Sequence, residues 1–406
     1  DDIRHLDGLP AVVRDKANKH ALDGYLHADG TYRAGAFEES KQELSAATEE
    51  YDKAKKEYLK AASETSTNHI PADLREKYRK AAERMRVAQE HYDDLSAIRR
   101  QTNDTERAKS GLPPAYLLDF DYDKKYQRTT AIVASGNPDT ATHVSTLVPG
   151  IGTNVRGDLG DYMEINERLR KQTAYAGIDP NNVATISYLG YVAPKNEGVD
   201  LIQATDIRYA DRAAPKLARF EEGLRASAEA NNHNFVNTLI GHSYGSTTSG
   251  KSMTLVAPGT VDRFIMCGSP GSGVQSIDEY NVPKDHVYVS SIPTHDSVQD
   301  LNALASSGYG KDPRNLDGIT HLSGDATDSA DYWVNKKSPG ISRWWTDVTH
   351  SFEHHMDYFD EGTRTSQDFA NIIAGTDQTT DEEWEMLDKA HELGLTDNWS
   401  VSRNLA

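Results

Sequence analysis

The sequence GHSYGS, residues 241–246, directly follows the apolar run FVNTLI at residues 235–240. Gly-x-Ser-x-Gly is the spacing of a nucleophile elbow, in which a strand turns sharply into a helix and presents a serine at the apex. Gly241 and Gly245 flank Ser243, and an elbow needs small residues there because neighbouring backbone approaches closely. The same pentapeptide also arises by chance in glycine- and serine-rich loops, so the surrounding pattern must decide between the two interpretations.

The chain after Pro113-Pro114 alternates between short apolar runs and longer helix-like stretches. The candidate strands are residues 130–134, 143–148, 183–188, 235–240, 263–267 and 286–290, and the candidate helices are residues 158–175, 204–230 and 246–256. Strands that alternate with helices favour parallel pairing through right-handed crossovers. We therefore predict an α/β fold with a doubly wound, mostly parallel sheet. Within it, GHSYGS lies between a strand and a helix, as an elbow requires.

Residues 37–100 follow a heptad pattern instead. One apolar seam contains Phe37, Leu44, Tyr51 and Tyr58 with Ala47, Ala54 and Ala61, and a second contains Leu74, Tyr78, Ala81, Met85, Ala88, Tyr92 and Leu95. Two such helices joined by a short polar break predict an antiparallel α-helical hairpin. We place the hairpin in an N-terminal helical region, residues 1–112, ahead of the main domain, residues 113–406. It is either a docking arm for a protein partner or a dimer, or an arm folded against the main domain.

Composition and charge exclude several classes of function. The 406 residues include 63 acidic and 44 basic ones, for a net charge of −19. Nucleic-acid affinity comes largely from Lys and Arg neutralising phosphates, so we expect no nucleic-acid partner. No apolar run is long enough to predict a transmembrane segment, and the first residues do not resemble a signal peptide. Cys267 is the single cysteine, which excludes an intrachain disulfide. The compartment is left open, with a secreted or cell-envelope location preferred to the cytoplasm.

A serine nucleophile needs a base to take its proton and an acid to orient that base. In the α/β folds that carry a nucleophile elbow, the order along the chain is Ser, then Asp or Glu, then His. Asp296, in the loop after the candidate strand at 286–290, is the predicted acid, with Asp300 in reserve. The base is one of three histidines near the end of the fold, His350, His354 and His355.

The same histidine-rich segment has a metal-site interpretation. His350, His354 and Asp357 could share one face of a helix. The familiar zinc signature also needs a glutamate beside the first histidine and an identifiable third ligand, and the segment has neither. We therefore expect no metal and no cofactor.

An oxyanion hole needs backbone N–H groups aimed at the carbonyl oxygen that becomes negative. One donor is the residue after the nucleophile, Tyr244. The other is Ile151 or Gly152, in the loop VPGIGT at residues 148–153. A phosphate-binding turn is the alternative interpretation of this loop, but the loop lacks both Gly-x-Gly-x-x-Gly and a GK[ST] ending.

Several motifs occur together and in a fixed order. They are LLDF at 117–120, NPDTATHV at 137–144, VPGIGT at 148–153, YLGYVAP at 188–194, IGHSYGS at 240–246 and GSPGSGV at 268–274. Together they resemble the actinobacterial α/β-hydrolase family long catalogued as a domain of unknown function, over residues 115–360. In that family a His-x-x-Tyr motif carries the terminal histidine, and its match at residues 355–358 implies that His355 is the base. Ile151 and Tyr188 depart from the family, where a small polar residue and a tryptophan are usual.

These residues predict a serine hydrolase that cleaves an acyl ester, such as a lipid or a cell-envelope component, with a small-molecule or lipid ester as substrate. One alternative is a non-enzymatic protein that binds a partner through the hairpin. Another is an amidase or peptidase, because amide hydrolysis uses the same groups. The segment at residues 308–352 contains Tyr332-Trp333 and Trp344-Trp345. It is either a lid over an acyl pocket or a segment anchored to the core.

Overall fold

The computed structural model describes residues 2–64, 70–194, 206–292, 307–324, 358–360 and 362–380, with residues 383, 385, 386 and 389. The helices in these ranges are α1 (Ala11–Asp23), α2 (Ala36–Glu64), α3 (Ala72–Gln101), α4 (Asp104–Lys109), α5 (Val155–Gln172), α6 (Arg208–Ala230), α7 (Tyr244–Met253) and α8 (Arg364–Ile373). The strands are β1 (Gly24–Leu26), β2 (Tyr32–Ala34), β3 (Ala115–Asp123), β4 (Arg128–Ser135), β5 (His143–Val148), β6 (Val183–Leu189), β7 (Val236–His242), β8 (Arg263–Cys267), β9 (Val287–Ser290) and β10 (Thr320–His321).

Eight of the described strands form one sheet in the order β10-β9-β8-β7-β5-β6-β4-β3. The pairs from β10 to β6 are parallel. The β4 strand pairs antiparallel with both β6 and β3. The predicted doubly wound, mostly parallel sheet is therefore confirmed, with an antiparallel edge that the sequence pattern did not indicate. The β7 strand, which ends at the elbow, lies in the interior of the sheet.

Helices cover both faces of the sheet. Adjacent residues on a strand point to opposite sides, so a strand with apolar residues on both sides is buried only if both faces are covered. Leu239 belongs to the apolar cluster shared with Leu217 and Phe220 of α6. Its neighbour Ile240 belongs to the opposite cluster, with Leu159 of α5 and Phe369 of α8. A central strand that is buried on both faces is held firmly, so β7 fixes the position of whatever follows it.

Helix α1 covers the edge strand β3 with polar groups as well as with the buried Ala11 and Leu22. The buried Arg14 donates from Nε to the Leu118 carbonyl at 2.9 Å. Asn18 donates from Nδ2 to the carbonyls of Leu117 and Leu118, and the Leu117 N–H donates to Asp15. An exposed sheet edge is a template for pairing with another chain, and these contacts satisfy part of it.

The N-terminal hairpin is formed by α2 and α3, as predicted. Its helices run antiparallel, since Phe37 packs on Tyr92 near one end and Tyr58 stacks on Tyr78 near the other, with ring centroids 5.2 and 4.9 Å apart. The seam alanines at 47, 54, 81 and 88 are buried between the helices. Leu95 of α3 belongs to the same apolar cluster as α5 and the sheet, so the base of the hairpin packs on the main domain. The boundary at residue 112 stays a prediction.

The first part of the predicted lid belongs to the packed body. Residues 320–321 form β10, which pairs with β9, and Tyr309 and Leu316 are buried in the main apolar cluster. The Ser290 hydroxyl donates to the Ser323 carbonyl at 2.6 Å, which ties this stretch to the end of β9. The rest of the predicted lid, with both aromatic pairs, lies outside the described residues. None of the helices in the described ranges has the length and apolar character needed to span a bilayer.

Candidate active site

Ser243 is the single residue between β7 and α7. Its backbone has φ 57° and ψ −134°, a conformation that L-residues rarely adopt and that costs on the order of 1–3 kcal/mol. The Ser243 N–H donates to the Cys267 carbonyl at 2.9 Å, which continues the pairing of β7 with β8. Strain of this kind persists only where the surrounding structure imposes the conformation. Here the strained backbone changes the direction of the chain between the end of β7 and the start of α7.

The two flanking glycines are required by close backbone contacts. A Cβ at Gly241 would lie 2.5 Å from the Ser246 Cα, because the helix folds back over the end of the strand. A Cβ at Gly245 would lie 2.3 Å from the Val148 carbonyl oxygen and 2.4 Å from that of Pro149. The Gly-x-Ser-x-Gly spacing therefore has a steric cause at both ends, which the chance interpretation of the pentapeptide does not explain.

The loop after β5 passes directly over the elbow. Gly150 lies against the Ser243 side chain and faces the Tyr244 N–H. The Gly152 N–H is already donated to the Pro194 carbonyl at 2.8 Å, whereas the Ile151 N–H has no acceptor among the described residues. Of the two donors considered from sequence, Ile151 is thus the one left free for a ligand.

The Tyr244 side chain anchors the start of α7 in the core. Its hydroxyl donates to the Asp206 carbonyl at 2.6 Å and accepts the Ala210 N–H at 3.0 Å. Its ring packs edge-on against Tyr309. Burial raises the pKa of the Tyr244 hydroxyl far above its usual value, so it stays a hydrogen-bond donor. The side chain therefore holds the helix in place, and only the backbone N–H is directed to the elbow.

His242, directly before the nucleophile, lies buried below the elbow. The Tyr162 hydroxyl of α5 lies 3.4 Å from its Nδ1. The rings of Tyr358 and Phe359 pack edge-on against His242, with centroids 6.2 and 5.4 Å away. The chain that follows the predicted base is therefore held next to the elbow.

The start of the loop that carries the predicted acid also contacts Tyr358. The Ile292 N–H, shortly before Asp296 in sequence, donates to the Tyr358 hydroxyl at 3.2 Å. Tyr358 thus contacts both the chain that leads to the acid and the residue beside the nucleophile. Ile292 and Tyr358, the described residues nearest in sequence to the predicted acid and base, therefore meet beside the residue that precedes Ser243.

The predicted acid and base themselves lie outside the described residues. This holds for Asp296, Asp300 and all three candidate histidines, His350, His354 and His355. The alternative metal ligand Asp357 lies outside as well. Within the described ranges no group of three or more His, Cys, Asp or Glu side chains is arranged to hold a metal ion.

Sequence reasoning gave no role to two residues of the YLGYVAP motif. The Tyr191 hydroxyl donates to the Pro149 carbonyl at 2.5 Å, and the Pro194 carbonyl accepts the Gly152 N–H. Both contacts hold the loop that carries Ile151. The joint presence of this motif and VPGIGT in the sequence was the available signal, but it does not specify which atoms meet.

Comparisons with known proteins identify the family. A family model described as alpha/beta hydrolase matches residues 124–306. The uncharacterized protein Rv2079 of Mycobacterium tuberculosis is 30% identical over 303 residues, 70% of this chain and 42% of that protein. The uncharacterized protein Mb0988c of Mycobacterium bovis is 30% identical over 239 residues, 57% of this chain and 82% of that protein. A solved structure titled "Lipase (Open form)" has a TM-score of 0.28 and 16% identity, and the match covers 67% of this chain and 76% of that chain.

The chain belongs to the α/β-hydrolase family, together with these uncharacterized mycobacterial proteins, which confirms the membership predicted from its motifs. It spans 42% of the length of Rv2079. The names of the mycobacterial relatives state no substrate.

Proposed function

We propose that the protein is a serine hydrolase that cleaves carboxylic esters, with Ser243 as nucleophile, His355 as base and Asp296 as the acid that orients it. The observation that carries the proposal is the backbone of Ser243, which is strained at the junction of β7 and α7. A strained serine at the end of a central strand, beneath a glycine loop whose Ile151 N–H has no acceptor in the described part of the chain, is the arrangement that acyl transfer needs.

The reaction follows from the roles of these groups. His355 takes the Ser243 proton as Oγ attacks the ester carbonyl, and the N–H groups of Tyr244 and Ile151 stabilise the oxyanion that forms. The intermediate collapses to an acyl-enzyme, and the alcohol leaves with the proton from His355. Water, activated by His355, then releases the acid and restores Ser243. Asp296 keeps the imidazole in the tautomer and orientation that this exchange requires.

The contacts of Tyr358 support the choice of His355 and Asp296. Tyr358 follows the predicted base closely in sequence, its ring packs on His242, and its hydroxyl accepts the Ile292 N–H. Described residues four before the proposed acid and three after the proposed base are therefore in contact beside the residue that precedes the nucleophile. The substrate class we propose is a small-molecule or lipid acyl ester, since acyl transfer to a serine hydroxyl is the chemistry that these groups perform.

Turnover of a short p-nitrophenyl ester tests the proposal. Ser243→Ala should lose activity by several orders of magnitude. Ser249→Ala is the matched control, because Ser249 is a buried serine on the same helix α7 whose hydroxyl has no hydrogen-bond partner among the described residues. It should keep wild-type activity. Full activity in Ser243→Ala would contradict the proposal.

The same assay separates the alternative functions. A p-nitroanilide of the same acyl group, measured in parallel, distinguishes an esterase from an amidase or peptidase. A folded wild-type protein that turns over neither substrate and does not react with a fluorophosphonate would favour the non-enzymatic interpretation, in which the hairpin binds a partner.

A further inference from the structure

The loop that carries Ile151 is held at two points by one segment, the residues directly after β6. At the inner point the Tyr191 hydroxyl donates to the Pro149 carbonyl at 2.5 Å. At the outer point the Pro194 carbonyl accepts the Gly152 N–H at 2.8 Å. Ile151 lies between the two, and its own N–H has no acceptor among the described residues. The direction of this N–H is therefore set by both contacts.

The Pro149 carbonyl is confined on its other side as well. A Cβ at Gly245 would lie 2.4 Å from this oxygen, so the carbonyl is close against the first turn of α7. The Tyr191 side chain is 7% exposed and also faces Thr248, one turn further along α7. The phenol hydroxyl thus links the loop of one proposed oxyanion donor, Ile151, to the helix of the other, Tyr244.

We infer that Tyr191 is a positioning residue, whose hydroxyl fixes the Ile151 N–H at the distance from the Tyr244 N–H that an oxyanion requires. This inference rests on the proposed function and deepens it. Tyr191 does not touch the substrate. It acts through the Pro149 carbonyl, which lies two residues before Ile151.

The physical reason is the steep dependence of oxyanion stabilisation on geometry. Donors must lie about 2.7–3.1 Å from the oxygen as it becomes negative, and a displacement of about 1 Å costs roughly a hundredfold in rate. Without the phenol hydroxyl, the buried Pro149 carbonyl loses this hydrogen-bond donor. The loop then shifts until the carbonyl oxygen accepts a different hydrogen bond. Burial raises the pKa of the Tyr191 hydroxyl well above its usual value, so the group remains a donor throughout the working pH range.

Tyr191→Phe removes this hydroxyl and keeps the ring. Tyr280→Phe is a closely matched control: Tyr280 is 5% exposed, belongs to the same apolar cluster, and donates to the Ser272 carbonyl at 2.5 Å, away from the elbow. We expect the two variants to lose similar thermal stability. Only Tyr191→Phe should lose kcat, by about tenfold to a hundredfold, with KM within about twofold of the wild-type value.

A second readout separates positioning from a structural role. A trifluoromethyl ketone forms a tetrahedral adduct with the serine and places its oxygen in the oxyanion hole. Its inhibition constant should rise in Tyr191→Phe by the same factor by which kcat/KM falls, and should stay unchanged in Tyr280→Phe. Equal activity losses in the two variants, or an unchanged inhibition constant in Tyr191→Phe, would overturn the inference. An inactive wild-type protein would instead overturn the proposed function.

Discussion

Gly150 lies so close to Ser243 that a Cβ at residue 150 would stand 2.4 Å from the serine Cβ and 2.7 Å from its Oγ. The loop after β5 and the nucleophile elbow are therefore fitted to each other with no room for a methyl group. The loop lies over the serine, at the position where the proposed mechanism places the oxygen of the attacked carbonyl.

Gly150→Ala should abolish most of the activity, because the added methyl group displaces either the loop or the Ser243 side chain. We expect a loss of at least about a hundredfold in kcat/KM, measured on the p-nitrophenyl ester. Gly160→Ala is the control. Gly160 lies inside α5, where alanine is the better helix former, and a Cβ there would meet only the end of the flexible Gln101 side chain. Wild-type activity in Gly150→Ala would show that this loop does not confine the serine.

Alanine substitutions at the three candidate histidines test which of them is the base. His355→Ala should lose activity by several orders of magnitude, whereas His354→Ala and His350→Ala should keep most of it, since only the histidine that faces Ser243 can exchange its proton. Steady-state ester kinetics measure the difference. Loss in His354→Ala with retention in His355→Ala would move the base by one residue.

The acid is tested in the same way. Asp296→Asn should lower kcat strongly, though less than loss of the base, because the imidazole keeps its place but not its preferred tautomer. Asp300→Asn should have little effect. The reverse order of the two losses would assign the role to Asp300.

The hairpin should fold without contributing a catalytic group. Tyr58 stacks on Tyr78 between the helices, whereas its neighbour Leu59 is 55% exposed. Tyr58 is half-buried, and an aspartate there would place a charge between the two helices, so Tyr58→Asp should melt the outer part of the hairpin and the exposed Leu59→Asp should not. Circular dichroism should show lost helix only in Tyr58→Asp, while ester turnover persists in both. Turnover that disappears with the helix would mean that the hairpin shapes the active site.

Glu221 of α6 makes stability depend on pH. It is fully buried, and burial raises its pKa from 4.5 to about 7, against the opposing effect of a hydrogen bond from Asn237 at 2.9 Å. Because the folded state holds this proton to higher pH than the unfolded chain does, the contribution to stability is complete below about pH 4.5 and falls away as the pH rises to about 7.

Glu221→Gln should remove this pH dependence and keep the contact with Asn237. Between pH 5 and pH 8, the wild-type free energy of unfolding should fall relative to the variant by on the order of 3 kcal/mol. Denaturant unfolding at both pH values measures the difference. The neighbouring Glu222→Gln should retain the wild-type profile. Parallel profiles for wild type and Glu221→Gln would show that the carboxyl is not responsible.

The sequence predicted the elbow and the central strands because their signals are local. Gly241 is required by a contact with Ser246 inside the same motif, and β5, β6, β7 and β8 are short runs rich in apolar and β-branched residues. The cause at Gly245 is not local, because a Cβ there would meet the Val148 and Pro149 carbonyls of the loop after β5. The heptads of α2 and α3 are equally local. The structure places α7 at Tyr244–Met253, two residues earlier than the pattern indicated, because the helix begins directly after the serine.

Helix α1 and strand β3 were missed for a physical reason. Their contact uses Arg14, Asp15 and Asn18, which bind the backbone of the strand. Hydrophobic periodicity is a weak signal for a helix whose buried face includes Arg14 and Asn18, and β3 alternates apolar with acidic residues at the sheet edge. The hydrogen bond from Tyr191 to Pro149 could not be predicted from the sequence either, because it joins residues 42 positions apart.

The site of covalent labelling identifies the nucleophile without reference to any substrate. The folded wild-type chain is treated with a fluorophosphonate, digested, and mapped by mass spectrometry. We predict one adduct, on Ser243, and no adduct in Ser243→Ala. An adduct on a different serine, or a folded wild-type protein that takes up no label, would contradict the assignment of Ser243 as the nucleophile.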